Sequence, residues 1–337
     1  MTRQIAAVVA LVAAPAAAAQ ADVPVDEPTA IDVERWAATA TGWWAGLDDA
    51  RVVGGGHLAI GFTSSVIARP IGLTSPTGED LGSPIAHRAT LTIAAAYGVT
   101  ESVELDLALP MVIQDGDRLT GVGDPEALRR VTSGDIRVGG KVQVMSGPRV
   151  NVALGATLTL PTGNEGHYAG ESSWILDWRG LASASLGPIG LAVGAGVRFR
   201  GDEVALSMSQ VAGNELAGAI AIAWQVPTIP GVYCEWTQLR VIGEVDGVLG
   251  DRVGGERSPS PVEARAGVRG RIWRGWTVGV TAGRGLVDTV GSPAWRGVVE
   301  LAWRDEPRTD RAPPRREADD ELELDEMEPE PDEVGEE

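Results

Sequence analysis

The sequence is poor in the residues from which most active sites are built. Its 337 residues include one cysteine, Cys234, three histidines, two phenylalanines and three tyrosines. A single cysteine excludes a disulfide framework and a thiolate metal site. His57, His87 and His167 stand far apart, and no two share ligand spacing with a carboxylate, so no metal site or other cofactor is expected. Serines are plentiful, but none sits in a nucleophile-elbow context with a histidine and an orienting group, so an enzyme is not expected either. Basic charge is scarce: 28 Lys and Arg against 47 Asp and Glu, a net charge of −19. Thirteen of those acids fall in 317–337 with no base among them, which leaves about −6 for the rest. A body so nearly balanced, with no basic stripe, does not suit nucleic acid.

Long apolar runs are also missing beyond the start. Met1-Thr2-Arg3 is a short basic opening, and Ile5 to Ala19 is an apolar run of 15 residues with small residues around Gln20. This pattern is that of a secretory signal peptide over 1–20. The run is short for a spanning helix and contains Pro15. No later stretch reaches 18 apolar residues. A mature chain that enters a membrane therefore does not enter it with helices.

What the sequence has in excess is glycine, 44 residues without a collagen-like period. One glycine pair, Gly283-Arg284-Gly285, invites a reading as a phosphate loop. The dinucleotide motif needs a third glycine three residues on and a helix behind it. Here Asp288 stands at that place, Gly291-Ser292-Pro293 follows, and another alternating run begins.

Alternation is the dominant pattern from 52 to 304. In Val103 to Met111, Val103, Leu105, Leu107, Leu109 and Met111 take one side, and Glu104, Asp106 and Ala108 the other. Ile136 to Val144, Val150 to Leu160 and Val262 to Ile272 repeat the scheme. Period two is a strand signature. Twelve such segments run over 53–68, 86–98, 102–113, 134–146, 149–160, 172–186, 189–200, 214–226, 236–249, 261–273, 275–285 and 294–304. Connections after even-numbered segments are mostly short, and those after odd-numbered ones long. This wiring belongs to antiparallel transmembrane barrels with tight periplasmic turns and long outer loops. The segments reach the 9–11 residues a tilted spanning strand needs. The expected fold is all-β, a closed antiparallel transmembrane barrel of about twelve strands in the outer membrane, with both termini periplasmic. Tyr97, Trp224, Trp236, Trp273, Trp276 and Trp303 fall at the short turns, and Trp174 and Trp295 at the long loops, as aromatic girdles would.

Several of these stretches resemble the N-terminal β-barrel region of myxobacterial OmpA-like outer-membrane proteins, and more loosely porins of the phenol-degradation MetA type. The resemblance covers about 52–304. It is carried by Leu105-Asp-Leu-Ala-Leu-Pro-Met111, Ser133 to Lys141, Leu158-Thr-Leu-Pro-Thr-Gly163, and Ala282 to Leu286 with the Gly291-Ser292-Pro293 turn. It implies outer-membrane lipid as the surroundings and transport of small solutes. The last strand, with Gly297, Val299, Leu301 and Trp303, resembles the signal read by the barrel assembly machinery.

The remaining parts divide simply. Residues 21–51 are expected to form a periplasmic segment, with a short helix over 31–40, and 305–337 a disordered acidic tail. Candidate pore-lining residues are the charges on the inward faces: Glu104, Asp106, Arg137, Lys141, Arg179, Arg240, Glu244, Glu263, Arg265, Arg269, Arg271, Arg296 and Glu300. Either they line water, which makes the barrel a porin-like channel for small solutes, or they pair across a narrow lumen. In the second case the barrel is a closed structural or adhesive one. Arginines outnumber acids on the last three strands, which would favour anions. The loop 115–130 either folds inward as a constriction or stays on the surface.

Overall fold

Alternation becomes strand at all twelve expected places. The computed structural model describes residues 31–40, 44–71, 73–74, 80–116, 128–207, 210–227, 237–250, 259–287 and 289–305. Among them the long strands are β1 (Leu58–Ala68), β2 (His87–Thr100), β3 (Val103–Asp115), β4 (Ile136–Ser146), β5 (Val150–Leu160) and β6 (Ile175–Leu186). They continue with β7 (Ile189–Arg200), β8 (Glu215–Gln225), β9 (Thr237–Gly250), β10 (Val262–Trp273), β11 (Trp276–Gly285) and β12 (Trp295–Arg304). Each pairs antiparallel with its neighbours in sequence, and β12 returns to β1, from Ala59 opposite Arg304 to Ala68 opposite Trp295. The sheet is thereby closed. A closed sheet leaves no row of unpaired N–H and C=O groups, the condition for crossing a bilayer with strands.

One end of the barrel carries tight turns, the other long loops. Gly187 turns β6 into β7 at φ 63°, and Gly275 turns β10 into β11 at φ 72°, conformations that glycine adopts without strain. At the loop end, two small ribbons form: Leu73–Thr74 with Asp80–Gly82, and Val204–Ser207 with Gln210–Ala212.

The outer face is apolar on every wall. On β3, Leu105 is 55% exposed and Leu107, Leu109 and Met111 are also exposed, while Glu104 and Ala108 are buried. Ile93, Leu154, Val193, Ile220, Val245, Val268, Val280 and Val299 repeat this outward placement around the circumference. A protein dissolved in water would not spend its large aliphatic residues on its surface in this way. Lipid as the solvent explains it. Tyr97, Trp224 and Trp273 are exposed near the short turns, and Trp174 and Trp295 near the long loops. Trp236 lies outside the described residues.

The lipid face makes a depth-dependent demand. Ile220, at the middle of β8 and 67% exposed, should lose about 2–4 kcal/mol on Ile220→Arg, whereas Leu216→Arg near the loop end should lose about 0–1 kcal/mol. Equilibrium urea unfolding in lipid vesicles checks the ordering.

Candidate functional site

The lumen is occupied by the chain's own N-terminal segment. Residues 31–39 carry no helix and run extended, with Ile31, Val33, Trp36, Ala38 and Ala40 buried. The segment begins at the loop end, where Ile31 and Val33 cluster with Ile71, Ile85, Val204 and Ala212. It descends to Ala40, which packs with Ala59, Ala94, Ala96 and Ala108. Further along, Trp44 and Leu47 pack on Leu181, Ala192, Ala221, Ala223 and Ile242 of the opposite wall. It leaves the lumen at Val53, and residues 54–56 lead into β1. The wall is cut away to admit it: a Cβ on Gly194 would stand 2.6 Å from Leu47 Cδ1, and one on Gly61 would stand 3.3 Å from the Ala40 Cα.

This corrects the expected periplasmic segment for the described part of 21–51, and the helix over 31–40 with it. The alanines there favour a helix by propensity, but tertiary packing overrides propensity. The described chain also begins and ends at opposite ends of the barrel. Ile31 lies at the loop end, whereas the Asp305 N–H donates to the Leu58 carbonyl at the short-turn end, 2.9 Å away. The two described ends of the chain therefore do not share a side.

Irregular backbone at membrane depth survives only where the protein itself supplies hydrogen-bond partners. The wall charges do this. Glu244 accepts from the Leu47 N–H at 3.0 Å, and Glu104 from the Val53 N–H at 2.7 Å. Arg269 donates to the Trp44 carbonyl at 3.1 Å, Lys141 to the Asp49 carbonyl at 2.8 Å and Arg304 to the Val52 carbonyl at 2.7 Å. Trp36 Nε1 donates to the Ala45 carbonyl at 2.9 Å, closing the segment on itself.

The segment's own charges meet opposite charges on the wall. Asp32 pairs with Arg88 at 2.9 Å, Asp48 with Lys141 at 3.0 Å, and Glu34 with Arg296, whose guanidinium also lies over the Trp36 ring. Arg35 pairs with Glu215 at 2.7 Å, and Glu215 also faces Arg198 and Arg200, each at 3.6 Å.

Most of the residues expected to line a pore are engaged in this way. Glu104 lies 3.4 Å from Lys141, and Arg269 lies 3.1 Å from Glu300. Arg265 is held by Glu244 and Asp246 at 2.5 Å and Glu263 at 3.4 Å; Arg296 is held by Glu263 at 2.7 Å. Arg240 and Arg271 are half-buried near the short-turn end, each with a polar partner. The anion preference expected from the arginines of the last strands therefore does not follow, because acids neutralise Arg265, Arg269 and Arg296. Asp106, Arg137 and Arg179 differ: all three point inward, are half-buried and have no ion pair within 4 Å among the described residues. Sequence reasoning passed over Asp32, Glu34, Arg35, Asp48, Asp49, Arg88 and Glu215. Their signal was the interruption of an apolar stretch by Asp-x-Glu-Arg and Asp-Asp, with no helical face to display them. His57, just before β1, and His87, at the start of β2, stand at opposite ends of the barrel; His167 is buried at the end of a short 3-10 helix, Glu165–His167. Most of the loop 115–130 lies outside the described residues.

Space remains beside the segment. A cavity of about 200 Å³ opens among Asp32, Arg35, Arg137, Asp177, Arg179 and Asp246. A second, of about 40 Å³, lies among Ala38, Ala94, Glu104 and Asp106. Asp48, Arg137, Thr157 and Arg179 border both.

Removing the anion of the Glu215 cluster should be worse than removing one cation. Glu215→Gln strands Arg35 of the segment and takes one of two partners from Arg198 and Arg200, which keep Asp177 and Glu171, and should cost about 3–5 kcal/mol, the range for breaking a buried pair. Arg35→Gln leaves Glu215 two partners and should cost less. Urea midpoints of the folded barrel in lipid measure both.

No family model matches the chain, and no curated protein matches it. Among solved structures it is similar to the COG4313 outer membrane channel from Pseudomonas putida F1, at 14% identity and a TM-score of 0.56, over 77% of this chain and 100% of that one. The NanC porin follows at 6% identity and a TM-score of 0.43, over 74% of this chain and 100% of that one. The KdgM porin gives 10% identity and a TM-score of 0.42, over 74% and 99%. The first of these likenesses agrees with the strand order and the lipid-facing exterior: the chain has the fold of an outer-membrane channel, a closed antiparallel β-barrel.

Proposed function

We propose that the chain is a passive outer-membrane channel for small solutes, narrowed by its own N-terminal segment. The supporting observation is the pair of adjoining cavities beside that segment, with Arg137 and Arg179, which form no ion pair within 4 Å among the described residues, bordering both and Asp106 bordering the smaller one. Selectivity is set there rather than on the last three strands. The long loops face outward and the short turns the periplasm, so the segment enters from the outer side. The motifs shared with myxobacterial OmpA-like barrels favour the same assignment. A signal peptide over 1–20, insertion by the barrel assembly machinery through Gly297 to Trp303, and an acidic tail over 305–337 complete the reading; the first and last lie outside the described residues.

A closed structural or adhesive barrel is the second reading. It is favoured by the apolar cover that Ile31 and Val33 form with Ile71, Ile85, Val204 and Ala212 at the loop end.

Conductance in a planar bilayer separates the two. The channel reading expects small, steady open steps. It also expects clearly larger ones for Glu34→Lys combined with Asp48→Lys, which places like charges against Arg296 and Lys141 and loosens the segment. A folded barrel silent in both forms contradicts the channel; silence of the native form alone supports the closed reading.

A further inference from the structure

We infer that Arg137 and Arg179 form a subsite for the carboxylate of a small organic acid. The subsite deepens the channel reading and depends on it for the access of solute. Among the described residues, the other arginines aimed at the large cavity each have a carboxylate within reach. Arg35 has Glu215, Arg88 has Asp32, Arg198 has Asp177, and Arg265 has Glu244. Arg137 and Arg179 are the exceptions.

Asp48 and Asp106 line the smaller cavity beside both arginines, yet neither arginine forms an ion pair within 4 Å among the described residues. Arg137 sits on β4 opposite Thr159 on β5, and Arg179 on β6 opposite Gly155 on β5. Thr157 lies between them and accepts from Arg179 Nη2 at 2.8 Å. Arg179 Nε is buried with no hydrogen-bond partner. A buried donor left unpaired calls for a missing acceptor. Guanidinium groups bind carboxylates through two parallel N–H donors, and hydroxyls such as those of Thr157 and Thr159 can hold the remaining lone pairs. A cavity of about 200 Å³ is smaller than the sites that take drug-sized ligands, so the acid has only a few carbon atoms. Asp106 lines the smaller cavity together with both arginines, so the acid binds on the side of the larger cavity, which Asp106 does not border.

The test uses the full chain with propionate and its neutral isostere propionamide. In a planar bilayer with chloride as carrier, propionate should reduce the current saturably and propionamide should not. Arg137→Gln combined with Arg179→Gln should raise the half-effective propionate concentration at least tenfold. Neither side chain forms an ion pair within 4 Å among the described residues, and the urea midpoint of the variant without propionate checks that it folds. A second readout does not need current: propionate should raise the urea midpoint of the wild type in lipid, as a ligand of the native state does, and not that of the variant. Equal effects of propionate and propionamide overturn the subsite, as does an unchanged response in the variant. Sulfate acting as strongly as propionate overturns the carboxylate assignment in favour of a general anion site. Chloride current with no propionate effect in either readout removes the subsite and leaves the channel. No current with a propionate-dependent midpoint removes the channel and keeps the subsite.

Discussion

The structure depends on one constraint: backbone that is neither helix nor sheet must find its hydrogen bonds inside the protein when it lies at membrane depth. Residues 31–40 and 44–53 are such backbone. In 44–53, two N–H and three C=O groups are met by Glu104, Lys141, Glu244, Arg269 and Arg304 of the wall. A lumen charge in this barrel is therefore first a partner for the segment and only second a feature of a pore. Burying so many ions is costly unless each is paired and hydrogen-bonded; most are paired, although Arg35, Arg88, Arg200, Arg265 and Arg269 each keep a buried N–H without a hydrogen-bond partner.

The wall is divided accordingly. Where the segment packs, the inward residues are small: Gly61, Ala94 and Ala96 beside Ala40, and Ala221 and Ala223 beside Trp44. Where it leaves space, they are long and charged: Arg137, Asp177, Arg179 and Asp246. Large side chains on the first surface would expel the segment, and small ones on the second would leave an unselective hole. Of the three inward charges without ion pairs among the described residues, Arg137 and Arg179 border both cavities and Asp106 the smaller one.

The barrel was legible in the sequence because strands with lipid on one side and lumen on the other alternate strictly, as Leu105 and Glu104 do. All twelve segments were found, and the faces followed from parity alone. The segment inside was not legible. Its alternation spans only a few residues, and its alanines and tryptophans suit a short helix equally well. Its partners are also remote in sequence: Glu34 meets Arg296 and Leu47 meets Glu244, 262 and 197 residues away. Only closure of β12 on β1 brings Arg296 to the lumen beside residues 34–36. The preference for anions failed for the same reason, since counting arginines on β10 to β12 could not reveal the acids that face them.

Crosslinking tests the central claim most directly. With Cys234 replaced by serine, Ala40→Cys and Gly61→Cys place two thiols where segment and wall touch; a Cβ on Gly61 stands 3.3 Å from the Ala40 Cα. A disulfide then needs the two Cβ atoms to come within roughly 3.5–4.5 Å of each other, which backbones in contact can reach with a small shift. A segment seated in the lumen should yield a near-complete intramolecular disulfide in the folded barrel, with both thiols slow to react with maleimide when reduced. No disulfide, with the residue 40 thiol labelled as fast as a free one, would contradict the account.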